Sequence, residues 1–231
     1  MLHPTAIIAP TARLAADVQV GPYAVIDAQV TLGPGCVVGP HTHLTGHTTI
    51  GARNRFHAGC VIGDAPQDLK YKDEPTRLRI GDGNVFREHV TVHRSNKLAE
   101  DTVIGSNCLF MANCHIGHNS NVGNHVIIAN GALLGGHVTV EDRAFISGNC
   151  LLHQFVRVGT LAMMQGGSGI GKALVLAVLE DIRNQAPEEK YLYLHAQMQA
   201  LPFYEKLGFT AIGPEFSEAD ILHRKMIFSG K

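Results

Sequence analysis

Residues 104–152 read IGSNCLFMANCHIGHNSNVGNHVIIANGALLGGHVTVEDRAFISGNCLL. Every sixth position is apolar: Ile104, Phe110, Ile116, Val122, Ile128, Leu134, Val140, Ile146 and Leu152. A period of six fits neither the turn of an α-helix nor the two-residue alternation of a strand. A fixed period sustained this long marks one structural unit stacked many times. It predicts a parallel β-helix of hexapeptide repeats, each giving a short flat strand and a corner, with the repeated apolar side chain inside the prism. Upstream, the same register holds from Ile8 through Ile62 and resumes at Ile80, Phe86, Val92 and Leu98. Downstream it passes Val158 and Met164 to Ile170, and only Asp68 and Glu74 interrupt it.

Two other places of the hexad carry information. The second is rich in glycine (Gly21, Gly33, Gly39, Gly51, Gly81, Gly105, Gly117, Gly123, Gly135), as expected where corners need unusual backbone angles or close backbone approach. The fifth holds small side chains, and all five cysteines fall there: Cys36, Cys60, Cys108, Cys114 and Cys150. A free cysteine behaves as a small hydrophobe. The odd count and the absence of a Cys-x-x-Cys pair argue against disulfide or metal chemistry. Three hexads make one triangular coil, so residues 18 apart should stack.

The stretch Asp64–Arg79 (DAPQDLKYKDEPTRLR) is charged, holds two prolines and drops the apolar register, so it predicts a loop thrown out from the prism. Arg94–Thr102 is a smaller polar stretch, although Leu98 keeps the count. From Lys172 the hexad is gone. Leu174, Val175, Val178, Leu179 and Ile182 outline an amphipathic helix ending at Pro187. Strands are expected over Tyr191–His195 and Ile221–Phe228, with a short helix over Pro202–Leu207 closed by Gly208. The organisation expected is a β-helix over residues 1–168 and a small α/β segment over 169–231.

Charged residues make up 17% of the 231-residue chain and the formal net charge is -1, which points to neither nucleic acid nor an anionic membrane. Met1–Pro10 lacks a basic segment followed by a long apolar run, and no stretch is apolar enough to span a bilayer. A cytoplasmic protein is expected.

Among the 14 histidines, His93, His115, His118, His125, His137 and His153 gather in the middle and late coils. By 18-residue stacking, His118 lies under Gly136 and Gln154, and Asn119 under His137 and Phe155. Imidazoles on adjacent coils, with a Gly135–Gly136 backbone beside them, could pair a general base with oxyanion donors. No His, Asp and Glu set has a metal spacing, so metal-free acid–base chemistry without a cofactor is expected.

The strings GHTTIG, QDLKY (67–71), EPTRLRIGD, VTVHR, NCHIGH, GNHVIIAN, LLGGHV and LLHQF resemble the acyl-[acyl-carrier-protein]–UDP-N-acetylglucosamine O-acyltransferases, which begin lipid A synthesis. The resemblance runs over residues 3–168. It implies a homotrimer of left-handed β-helices with active sites in the clefts between subunits. It further implies that a 3-hydroxyacyl chain passes from acyl carrier protein to the 3-hydroxyl of UDP-N-acetylglucosamine. On this resemblance His118 is the general base and the backbone N–H of Gly136 stabilises the oxyanion. Gln67, Asp68 and Lys70 meet the substrate, and His93, His115, His137, His153 and Gln154 line the cleft. Gly166 occupies the place that limits acyl length, with room for a longer chain. The family usually has Asp after the catalytic histidine; Asn119 can orient an imidazole but carries no charge.

The tail departs from that family. GSGIGKALV, LHAQ, LPFYEKLGF and FSEADILHRKM resemble the C-terminal part of GCN5-related N-acetyltransferases. That resemblance implies a coenzyme A phosphate loop at Gly169 and Gly171 and a general acid at Tyr204. The first half of that fold is missing. Three classes therefore stand: the sugar-nucleotide O-acyltransferase, a coenzyme A-dependent N-acetyltransferase acting through the tail, and an inactive hybrid scaffold.

Overall fold

The computed structural model describes residues 1–166, 179, 192–218 and 221–228. It separates into two compact units, Met1–Ile170 and Gly171–Lys231. The first is a parallel β-helix with three eight-stranded sheets. Sheet one runs from Ile7–Ile8 to Leu151–Leu152, sheet two from Arg13–Leu14 to Arg157–Val158, and sheet three from Gln19–Val20 to Met163–Met164. Successive strands never share a sheet, and each pairs with the strand three places later. This is the prism that the period of six predicts.

Its interior is the hexad residue. Ile26, Leu44, Ile62, Phe86, Ile116, Ile128, Leu134 and Ile146 are fully buried. Phe56, Phe86 and Phe110 stack in sheet three with ring centroids 4.8 and 4.7 Å apart. The five cysteines are free and buried, and burial pushes the Cys60 and Cys108 thiols up to about 11 and Cys114 to about 12. Asparagine also enters this fifth place. Asn84 donates to Asn54 Oδ1 (3.0 Å) and to Gly105 O (2.9 Å), and accepts from the Cys108 N–H (2.8 Å). Buried amides are tolerated there because their polar atoms are paired.

The glycines and the corner angles turn out to be separate matters. Positive φ recurs at the fourth place, mostly on residues with side chains: Tyr23 (56°), His89 (59°), Asn119 (56°), His137 (59°) and Phe155 (66°). Second-place glycines answer to close approach instead. A β-carbon on Gly33 would stand 2.7 Å from the Gly51 carbonyl of the next coil.

Both polar stretches leave the prism at the corner between sheets one and two, on consecutive coils. The first spans 65–76, between Val61–Asp64 and Arg77–Ile80; the second lies between Thr91–His93 and Asp101–Ile104. Val61 pairs with Thr91, 30 residues on, and Thr91 with His115, 24 residues on, where 18 is the rule. The surplus is two hexads and then one. Leu98 keeps the count for that reason alone; its side chain is exposed. The second loop fastens the first: Arg94 Nε donates to the Tyr71 hydroxyl (3.0 Å) and Arg94 Nη1 to Gly63 O (3.0 Å).

The second unit contains an antiparallel three-stranded sheet in the order Tyr193–Gln197, Ile221–Phe228, Phe209–Glu218. The first strand begins and ends two residues later than the sequence suggests, and Phe209–Glu218 is a strand additional to the two expected. The short helix is Leu201–Glu205, followed by Gly208 at φ 92°. Leu179, Ala196, Phe209 and Met226 form a small core. The rest of the expected helix before Pro187 lies outside the described residues.

Candidate active site

The corner that ejects two loops continues in the next coils as Gly117-His118-Asn119, then Gly135-Gly136-His137, then His153-Gln154. Stacking at 18 residues holds here: the His137 N–H donates to His118 O (2.8 Å) and the Phe155 N–H to Gly136 O (3.2 Å). Together with the first loop these coils shape a groove of about 280 Å³. Gln67, His93, His115, His118, Gly136 and Gln154 line it, as do Leu133, Leu134, Leu151 and Leu152. The two exposed leucines, Leu133 and Leu151, sit on successive strands of sheet one. Sequence reading had not singled them out, though outward apolar residues 18 apart are a usable signal.

His118 is buried, at 8% exposure. Its Nδ1 lies 2.9 Å from Asn119 Oδ1. The amide's orientation is set independently, because the Asn96 backbone N–H donates to that same oxygen (3.0 Å). A main-chain N–H can only donate, so the Asn119 atom there is the carbonyl oxygen, and His118 Nδ1 carries the proton. In a neutral ring that leaves the lone pair on Nε2. It lies 2.5 Å from where a Gly136 β-carbon would be, as does Cε1. Only glycine lets the backbone come this close to the ring.

The neighbouring imidazoles are held neutral near pH 7. Burial lowers His115 to about 4, with His93 and His118 adding to the shift. Burial is also the main cause of the lowered values of His93 and His137. His115 Nδ1 hydrogen-bonds with Thr91 Oγ1 (2.7 Å), and the His93 and His115 rings meet edge to face at 4.6 Å. His137 stands edge-on to His118 at 5.2 Å and stacks on Phe155 at 4.7 Å.

Asp68 accepts from the Lys70 N–H (3.0 Å) and from Asn96 Nδ2 (2.7 Å), which together keep its carboxyl below the usual range. It is thus tied through Asn96 to the His118 corner. The side chain of Lys70 is exposed, and neither Lys70 nor His153 lines the groove. Gly166, in the turn after Met163–Met164, is also outside it. In the second unit, the Tyr204 ring packs in the small core, edge-on to Phe209 at 5.9 Å. Gly169 and Gly171 lie outside the described residues. Among the described residues no three His, Cys, Asp and Glu side chains are grouped to hold a metal ion, and no helix is long and apolar enough to cross a membrane.

Comparison with known proteins places the chain in a family. A 173-residue alignment with the acyl-[acyl-carrier-protein]–UDP-N-acetylglucosamine O-acyltransferase of Stutzerimonas stutzeri is 47% identical, covering 74% of this chain and 67% of that protein. The corresponding protein of Pseudomonas aeruginosa is 51% identical over the same shares. The chain belongs to the UDP-N-acetylglucosamine O-acyltransferase family. The acyltransferase also superposes on the UDP-N-acetylglucosamine acyltransferase from Campylobacter jejuni with a TM-score of 0.70 at 35% identity, covering 73% of this chain and 66% of that one. A family model described as bacterial transferase hexapeptide matches residues 11–46 and 29–64. A second, described as an acetyltransferase (GNAT) domain, matches 118–229. From His118 to Met164 the acyltransferase chain is β-helix, its strands in parallel register with earlier coils. An acetyltransferase-like segment with a sheet of its own begins only in the second unit.

Proposed function

We propose that the acyltransferase transfers a 3-hydroxyacyl chain from acyl carrier protein to the 3-hydroxyl of UDP-N-acetylglucosamine, with His118 as general base. The observation that carries this is His118 itself: Nδ1 is held by Asn119, and Nε2 stands beside the Gly136 backbone in a groove that Leu133 and Leu151 also line. Nε2 takes the proton of the sugar 3-hydroxyl as that oxygen bonds to the thioester carbonyl carbon. The electron pair moves to the carbonyl oxygen, where the Gly136 N–H stabilises it. Collapse breaks the carbon–sulfur bond, and the imidazolium returns its proton to the departing thiolate.

Gln67, Asp68 and Lys70 hold the sugar nucleotide from the first loop, while Leu133 and Leu151 bear on the acyl chain. These two leucines are 42% and 56% exposed in a single chain. Packing of a second copy against this side would cover them, in keeping with a homotrimer in which His137, His153 and Gly166 complete a cleft between subunits. The working environment is the cytoplasm. The match of 118–229 to the acetyltransferase pattern supports a second reading, coenzyme A-dependent N-acetylation through the tail.

The test is acyl transfer with UDP-N-acetylglucosamine and 3-hydroxyacyl carrier protein, run beside acetyl-coenzyme A with amines. His118→Ala should lower turnover on the order of a hundredfold or more with little change in melting temperature. Equal rates for His118→Ala and the parent would overturn the mechanism; amine acetylation without O-acylation would favour the second reading.

A further inference from the structure

The groove does not end at Asn119. The amide that accepts from His118 Nδ1 donates through Nδ2 to Glu100 Oε2 (3.0 Å) and to Ser95 Oγ (2.8 Å). Glu100 stands on the second loop, outside the groove, where Lys97 Nζ donates to its other oxygen (3.1 Å). The Nδ1 of His137 is 4.0 Å from Glu100 Oε2. A continuous line thus runs from carboxylate to amide to imidazole: Glu100, Asn119, His118. An amide has no charge, but hydrogen bonds in a chain polarise one another. An amide N–H given to a carboxylate makes the same group's carbonyl a stronger acceptor.

We propose that Glu100 is a positioning residue for the general base, acting through Asn119. It holds the amide with its oxygen toward His118 and supplies, one residue removed, the negative charge that an imidazolium needs. The rest of the surroundings fit this role. The Asn119 backbone N–H is held by Thr102 Oγ1 (2.8 Å) at a corner of positive φ, so the side chain starts from a fixed backbone. Ser95 Oγ is itself placed by the Lys97 N–H (2.9 Å) and by Lys97 O (3.0 Å). The loop that carries Glu100 is therefore built around the Asn119 side chain. Glu100 is half exposed, so its ion pair with Lys97 adds little to stability, and its effect should appear in turnover.

The proposal rests on the His118 reading above, and two measurements separate their failures. In acyl-transfer kinetics, Glu100→Gln should lower kcat roughly five- to tenfold with KM for the sugar nucleotide unchanged, the scale of one indirect charge contact. Asn119→Asp alone should bring no gain, because it sets two carboxylates 3.0 Å apart. The same change in the Glu100→Gln background should restore kcat to within about threefold of the parent, the single carboxylate now touching the imidazole directly. In histidine-labelled protein, the Nδ1 proton of His118, assigned by its loss in His118→Ala, should move upfield in Glu100→Gln as its hydrogen bond weakens. An unchanged Nδ1 resonance, or a tenfold gain from Asn119→Asp with Glu100 present, would overturn the role of Glu100. An upfield shift alongside full activity of His118→Ala would uphold the Glu100 contact and overturn the base assignment instead.

Discussion

The imidazole of His118 lies over Gly136 so closely that a β-carbon there would be 2.5 Å from both Cε1 and Nε2. Sterics and chemistry meet at this one contact. The missing side chain at 136 creates the space for the ring, and the ring presents its free nitrogen beside the Gly136 backbone.

Gly136→Ala should therefore act on His118 before it acts on the fold. A methyl group at this distance forces the ring off its place, a change that costs about 1–3 kcal/mol. Turnover should fall on the order of a hundredfold, since misplacing a reacting group by about an ångström has an effect of that size. Steady-state kinetics and a melting curve check it; unaltered kcat would mean that the ring tolerates the methyl.

Ile128→Asp addresses the prism itself. Ile128 is 0% exposed and paired on either side with Phe110 and Ile146. An unpaired carboxylate there has no hydrogen-bond partner, a change that costs several kcal/mol, about 3–5. Thermal denaturation should show a clear drop, and an unchanged midpoint would contradict the inward direction of the hexad residue.

Stability should fall as pH drops from about 6.5 toward 4. His115 is lowered to about 4 in the folded chain, against an ordinary value of 6.5, chiefly by burial. The unfolded chain therefore binds a proton in this window that the folded chain refuses, so unfolding is favoured as pH falls. His93 and His137 are lowered for the same main reason and act in the same direction. The carboxyls of Asp68 and Asp101 are lowered too, and their contribution is lost only below about 4. Melting temperatures from pH 8 to 4 should slope downward below 6.5, and His115→Asn should flatten that slope.

Removal of residues 173–231 should leave the β-helix folded. Each coil depends mainly on its immediate neighbours, and the two units have separate cores. Circular dichroism and melting should report a retained β-helix. Calorimetry on the full chain should show no tight coenzyme A binding; tight binding that vanished with the deletion would promote the acetyltransferase reading.

Much of the candidate site is legible in the sequence. His118, Gly136, His137 and Gln154 follow from 18-residue stacking, because no insertion separates those coils. Asn96 and Glu100 were not legible as partners of Asn119. They lie on a loop whose path is set by its own contacts, Ser95 to Lys97 and Arg94 to Tyr71, and carry no period that could be counted. Gly169 and Gly171 stay with the tail's resemblance alone, whereas Tyr204 is placed by its packing against Phe209.

The period of six is enough to specify the prism and the direction of each side chain in its coils. A strand-and-corner unit repeated every six residues returns the same place of the hexad to the same orientation, whatever lies further along the chain. Tertiary structure alone decided which coil neighbours which across the loops. Their surplus of two hexads and then one preserves the count while moving the partner of Val61 to Thr91 and that of Thr91 to His115. For the same reason Leu98 obeys the period and is exposed, while Glu100 comes to rest beside Asn119. Within the coils the period sets where a side chain points; in the loops their own contacts decide it.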